Sequence, residues 1–196
     1  MAAKKKIVAI AMLCMAMVVF SRCNWKKEFQ SELPALKSLQ LSLDSVINNS
    51  AEISPSQLEA AYDTIEYQIT FIQNNFQSEM KKEMAEKLSA YRNIPEILPN
   101  PSEQWVNVLS ACSMSKKQLE DLQQVISSES NVDSLGNSIN AAYVTEAIKA
   151  EKAAAQKALN YSNEYKALYL KSLEEYSQYQ TQIKVWIDSL KLQMAP

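Results

Sequence analysis

Apolar side chains recur at every third or fourth position along most of the chain, the spacing that places them on one face of an α-helix. The first such pattern predicts a helix from Lys26 to Ile47, whose regular part begins at Pro34. Its apolar residues follow a heptad-like spacing: Phe29, Leu36, Leu39, Leu43 and Val46. This helix is expected to pack on the C-terminal half of the last helix.

A second helix is predicted to start at Pro55 and to end at Pro95. Ser54 and Gln57 match a capping box around a first-turn proline, which marks the start. Every step between its apolar residues is three or four positions: Leu58, Tyr62, Ile65, Ile69, Ile72, Phe76, Met80, Met84, Leu88 and Tyr91. The series predicts one continuous helix of about 39 residues, roughly 58 Å long.

Two further helices complete the pattern. Asn100-Pro101-Ser102-Glu103 repeats the start signal, and a third helix follows with Trp105, Leu109, Cys112, Leu119, Leu122 and Ile126 on one face. The fourth is predicted from about Asp133 to Met194, roughly 90 Å if unbroken. A bend near Asn160–Asn163, where polarity rises, is the alternative. Its apolar row is Leu135, Ile139, Ala142 or Tyr143, Ala147, Ile148, Ala154, Ala155, Ala158, Tyr165, Tyr169, Tyr176, Tyr179, Ile183, Trp186 and Leu190.

The predicted fold class is all-α. We expect an elongated antiparallel bundle of three or four helices over residues 34–196, with coiled-coil-like packing and one long C-terminal helix. The 196 residues include one glycine, Gly136, and no histidine. Because tight strand turns commonly need glycine, this composition argues against a β-rich fold.

The first 22 residues differ from this amphipathic body. Lys4, Lys5 and Lys6 precede an unbroken apolar run of 14 residues, Ile7–Phe20. The run is shorter than the roughly 20 residues that a transmembrane helix needs. A basic start, an apolar middle and a short polar exit are typical of an export signal, so we expect the body to work outside the cytoplasm.

Over residues 1 to about 24 the chain resembles a bacterial lipoprotein precursor of the Bacteroidota type. The resemblance rests on the three lysines, the apolar run and the exit Ser21-Arg22-Cys23, although the family has a small residue where Arg22 stands. In that family the signal is cut before the cysteine, which then carries a diacylglycerol and an amide-linked acyl chain such as palmitate. The resemblance implies a signal peptide over 1–22, a lipidated Cys23, a tether over 23–33, and an outer-membrane anchor facing the periplasm.

Two other interpretations of the N-terminus stay open: an uncleaved signal anchor, or cleavage near Ser21 without lipid. Whether Cys23 is lipidated also decides which partner is open to the Cys112 thiol. If Cys23 is lipidated, Cys112 has no partner and is expected to be a small buried apolar residue. If it is not, Cys23 and Cys112 could form a disulfide, because the compartment is oxidising. All three interpretations place the body in the cell envelope.

Composition narrows the function of that body. Without residues 1–22 the chain has 16 basic and 22 acidic side chains, a net charge of −6, which argues against nucleic-acid binding. The absence of histidine excludes His-based triads and ordinary zinc sites, and the single glycine excludes phosphate-binding loops. We therefore expect a non-enzyme without cofactor or metal.

The expected role is that of a scaffold or partner-binding module in the envelope, and a homodimer is compatible with the heptad rows. The alternative is a periplasmic carrier or chaperone that holds an apolar client between its helices.

One stripe of the fourth helix is the candidate partner-binding face: Tyr165, Tyr169, Tyr176, Tyr179 and Trp186. Tyrosine and tryptophan are favoured anchors at interfaces, so this face could receive a partner helix or a glycan. The other interpretation is a core row whose hydroxyl groups reach its wet edge.

A short motif of Asp, then Ser or Thr, then an aliphatic residue occurs four times. It resembles the O-glycosylation sequence of Bacteroidota envelope proteins, which makes four hydroxyls candidate acceptors: Ser45, Thr64, Ser134 and Ser189. The alternative is that such polar–polar–apolar steps simply belong to amphipathic helices.

Overall fold

The computed structural model describes residues 25–76, 80–128 and 139–194, and the regular elements in these ranges are all helical. The α-helices are α1 (Trp25–Phe29), α2 (Leu33–Asn48), α3 (Pro55–Asn75), α4 (Lys82–Arg92), α5 (Pro101–Ser127) and α6 (Ala141–Met194). Short 3-10 helices occupy Gln30–Glu32, Ser50–Glu52 and Ile94–Glu96. The predicted all-α class with a long C-terminal helix is confirmed. None of the described helices combines the length and apolar character needed to cross a membrane.

The contacts divide the chain into two compact units. The first unit comprises Met1–Asp44 and Ser113–Lys157, and the second comprises Ser45–Cys112 and Ala158–Pro196. Each unit has a core of its own built from helical apolar rows.

In the first unit, α2 and α5 run antiparallel. Lys116 Nζ lies 2.6 Å from Asp44 Oδ1, and one helical turn further Gln40 Nε2 donates to Glu120 Oε1 at 2.7 Å. Gln40 is only 6 % exposed, and its own Oε1 accepts from Gln123 Nε2 at 3.2 Å. Since a buried amide must be hydrogen-bonded to be tolerated, this cluster fixes the register of the two helices.

The predicted packing of the first helix on the C-terminal half of the last helix is wrong. Glu32, just before α2, forms an ion pair with Lys152 in the N-terminal part of α6. The C-terminal part of α6 contributes Ile183, Ile187 and Leu190 to the core of the second unit, so that part is already covered. The segment before α2, predicted as a tether, is helical from Trp25 onward.

The predicted second helix is interrupted, so the prediction of one continuous helix from Pro55 to Pro95 is wrong. Helix α3 ends at Asn75, and Phe76 has an extended backbone with φ −86° and ψ 104°. Asparagine favours helix ends because its side chain competes for backbone hydrogen bonds, and Asn75 Nδ2 donates to the carbonyl of Phe71 at 2.8 Å. The apolar periodicity continues past the break because α3 and α4 form an antiparallel hairpin around one core.

A long-range contact stabilises the start of α3, whereas a local cap marks the start of α6. Ser54 precedes α3 as predicted, yet its side chain makes no capping bond; instead its backbone N–H and C=O lie 3.4 and 3.2 Å from Tyr169 Oη. Helix α6 begins at Ala141, where Asn140 Oδ1 accepts from the backbone N–H of Tyr143 at 3.0 Å. It continues as α-helix through residues 160–163.

The buried rows differ from the predicted rows at several positions. In α5 the structure buries Val108 rather than the predicted Leu109, and in α6 it buries Val144 rather than Ala142 or Tyr143. In each case the buried residue keeps steps of three or four with its neighbours, such as Trp105 and Cys112 around Val108.

Candidate functional site

Two of the predicted partner-binding tyrosines belong to the core of the second unit. Tyr165 is 1 % exposed and Tyr169 is 4 % exposed. The Tyr165 ring lies between those of Trp105 and Tyr169, with centroids 4.9 and 6.4 Å away, and its hydroxyl donates to the carbonyl of Pro101 at 2.9 Å. Such burial favours the core interpretation for these two residues and leaves them unavailable to a partner.

The other three members of the stripe are half-buried at the margin of the same core. Tyr176 and Tyr179 pack against the core cluster, and the Tyr176 ring stacks on that of Tyr91 with centroids 6.1 Å apart. Trp186 also packs on this cluster and lines an open groove. The candidate partner-binding face is thereby narrowed to the end of the stripe near Trp186.

This groove, called the C-terminal groove here, has a volume of about 500 Å³. Its lining consists of Asn75, Phe76, Met84, Trp186, Ser189, Leu190, Gln193 and Met194. Aromatic and methionine side chains supply the apolar surface, and two amides and a hydroxyl supply hydrogen-bonding groups. The combination suits a partner that brings apolar side chains together with polar backbone or side-chain groups.

The helix break explains why the groove exists. Because α3 stops at Asn75 and Phe76 turns away in an extended conformation, Phe76 forms a wall instead of continuing the helical row. Helix α4 then begins at Lys82 and places Met84 on the same wall. Sequence periodicity missed this site, although the pair Asn74-Asn75 within an apolar series was a local signal for the break.

Two smaller grooves lie along α3 and share Ile69, Gln73 and Arg92, with volumes of about 240 and 350 Å³. The larger of them mixes the carboxyl groups of Asp63 and Glu66 with Arg92. Within the described residues, no group of three or more cysteine, aspartate or glutamate side chains is placed to hold a metal ion.

Burial changes the acid–base properties of the tyrosines. Desolvation raises the pKa of Tyr91 and of Tyr165, and a neighbouring tyrosine, Tyr176 or Tyr169 respectively, adds to each shift. Desolvation also raises the pKa of Tyr62, partly opposed by a hydrogen bond with Ser172. Burial disfavours the charged form of each phenol. All three tyrosines therefore stay protonated in the folded state at a pH at which a free tyrosine ionises.

We predict that the free energy of unfolding falls as the pH rises above about 10, the ordinary tyrosine pKa. Below that pH the tyrosine hydroxyls are protonated in both the folded and the unfolded chain, and their contribution to stability is complete. Above it the unfolded chain loses these protons first, so unfolding becomes more favourable. Each such tyrosine adds a slope of about 1.4 kcal/mol per pH unit. Urea unfolding at a series of pH values should show a slope reduced by that amount in Tyr91→Phe. Tyr67→Phe, at an exposed position, is the control; equal slopes in both variants would contradict the assignment.

The remaining candidate residues are spread over the chain. Ser45 and Ser189 are exposed and Thr64 is half-buried; all three lie within helices. Thr64 Oγ1 and Ser189 Oγ donate to the carbonyls four residues earlier at 2.8 and 2.9 Å. Ser134 and Cys23 lie outside the described residues, and glycosylation and lipidation remain predictions.

Cys112 is a free, fully buried thiol in the second unit. Its Sγ lies 3.9 Å from the carbonyl oxygen of Ala158, and burial raises the pKa of the thiol. A thiol held in its neutral form and shielded from solvent is a poor nucleophile, which agrees with its expected role as a small apolar residue.

Comparison of the chain with protein-family models, with curated proteins and with solved structures gives no significant match.

Proposed function

We propose that this chain is a lipid-anchored lipoprotein of the cell envelope that binds a partner protein and has no catalytic role. Support for the anchor is the export-signal pattern that ends at Cys23. Support for partner binding is the C-terminal groove, where Trp186, Phe76 and Met84 line an open surface. Tryptophan is enriched among the residues that dominate binding energy at protein interfaces, and methionine adapts to varied partners.

The open form of this groove favours a peptide segment as its occupant. Asn75, Ser189 and Gln193 place hydrogen-bonding groups beside the apolar side chains. An amphipathic helix offers apolar residues at one face and polar groups at its margins, so it matches such a lining. We therefore expect the partner to present a helical segment with two or three large apolar residues.

A photo-crosslinking experiment tests this proposal in a Gram-negative host. A photoreactive residue at Gln193, which lines the groove, is expected to give one adduct of defined mass. The adjacent Leu192 is 78 % exposed and is not part of the lining, so the same photoreactive residue there is the matched control. Two arginine variants extend the comparison.

Ser189→Arg fills the groove from an exposed position, whereas Val185→Arg adds the same side chain one turn away and outside the lining. The adduct at position 193 is expected to disappear in Ser189→Arg and to persist in Val185→Arg. Equal adducts at positions 192 and 193, or an adduct insensitive to Ser189→Arg, would contradict partner binding in this groove.

A carrier of an apolar client is the second candidate, because about 500 Å³ also falls within the size range of small-molecule sites. A hydrophobic dye that binds the native protein at one molecule per chain would favour this function over partner binding. Its binding should be lost in Ser189→Arg and kept in Val185→Arg.

A further inference from the structure

We propose that the first unit stands directly on the membrane surface, with α1 and the C-terminal end of α5 against the lipid headgroups and no flexible spacer between. This inference rests on the proposed anchoring at Cys23 and adds the orientation of the anchored body. The occupant of this surface is the bilayer that holds the anchor.

Only a short stretch of chain separates Cys23 from the folded body. Helix α1 begins at Trp25, two residues after Cys23. Two extended residues span at most about 7 Å. Phe29 is buried, and the 3-10 helix Gln30–Glu32 leads directly into α2. The chain from residue 25 onward is therefore part of the folded body and does not lengthen the link to Cys23.

A side-chain contact joins α1 to the end of α5. Lys26 Nζ donates a hydrogen bond to the backbone carbonyl of Ser128, the residue that follows α5. A cation at a helix C-terminus satisfies an unpaired carbonyl and is stabilised by the helix dipole. Lys26 lies three residues after Cys23, a span of about 10 Å at most, so the end of α5 is held close to the anchored residue.

The net charge at this end differs from that of the body as a whole. Lys26 and Lys27 open α1, and Lys27 is exposed, whereas Glu28 offsets one of the two positive charges. From Leu122 to Ser128 the sequence of α5 and its end has no charged side chain. Glu129 directly follows this stretch, so Lys26 and Lys27 are balanced by Glu28 and Glu129 and this end is close to neutral. The body as a whole is acidic, and an end without net charge is not repelled by an anionic membrane surface.

Depth-dependent quenching in vesicles tests the proposed orientation. The full-length protein is purified in its processed form from membranes and placed in vesicles of phosphatidylcholine and phosphatidylglycerol with a nitroxide on a fraction of headgroups. A fluorophore is attached to Ser127→Cys, at the end of α5, or to Met114→Cys, 13 residues earlier on the same helix. Both positions are exposed and lie about 20 Å apart along α5. The buried Cys112 is protected from labelling, and unsubstituted protein serves as the blank.

We expect quenching at position 127 to exceed that at position 114 at least threefold. A spacer of 20 glycine and serine residues between Asn24 and Trp25 should reduce it to the level at position 114, because such a spacer spans about 25 Å on average. Equal quenching at both positions, or no effect of the spacer, would overturn the inference.

The intact mass of the same samples separates this result from the proposed function. Acyl chains on Cys23 with equal quenching would overturn the orientation and leave the lipoprotein proposal in place. The reverse outcome, a quenching contrast without acyl chains, would overturn the lipoprotein proposal and support the same surface, because an uncleaved apolar run also ends five residues before Trp25.

Discussion

Replacing Tyr165 with alanine is expected to lower the free energy of unfolding by about 3–5 kcal/mol, the range for removing a large buried aromatic side chain. The ring is 1 % exposed and lies between Trp105 and Tyr169, so its removal leaves a cavity that these rings cannot fill. Urea unfolding followed by circular dichroism measures the change.

Tyr165→Phe is the matched control for this variant. It keeps the ring and removes only the hydrogen bond to the carbonyl of Pro101, so we expect a loss of about 1 kcal/mol. The comparison also decides between the two interpretations of the tyrosine stripe. If Tyr165→Ala changed stability by less than the phenylalanine variant and instead reduced partner binding, the stripe would be a docking face.

Replacing Cys23 with alanine is expected to abolish incorporation of labelled palmitate into the protein. Each buried methylene of an acyl chain contributes about 0.8 kcal/mol, so two or three chains hold a protein stably in a membrane and their loss removes that anchor. Cys112→Ala is the control, because Cys112 is buried in the second unit and should carry no lipid. If Cys23→Ala and Cys112→Ala incorporated equal amounts of palmitate, Cys23 would not be the lipidated residue.

The apolar spacing predicted the fold class because amphipathic periodicity is a local property of the sequence. The rows of α2, α3 and α4 predicted most of the buried residues, including Leu36, Leu43, Ile65 and Tyr91. The same periodicity hid the break after Asn75, since the residues on both sides of it pack on one core. A pattern of apolar positions records which residues are buried and does not record whether the helix between them is continuous.

Contacts between distant residues could not be derived from local patterns. The start of α3 is stabilised by Tyr169, 115 residues away, whereas the sequence predicted that Ser54 would provide the cap. The pairing of Glu32 with Lys152 follows equally from tertiary packing. For the candidate site, Trp186 belonged to the predicted stripe, but the groove that it lines depends on the α3–α4 break and so was not predicted.

Lipid anchoring at Cys23 is tested most directly by the intact mass, with N-terminal peptide mapping, of the full-length protein from membranes of a Gram-negative host. We expect a mature chain that begins at Cys23 and carries two or three acyl chains, and we expect Cys23→Ala to lose both features. An unmodified chain that still begins near Met1 would exclude lipid anchoring and identify a signal-anchored protein in which Cys23 is an ordinary thiol.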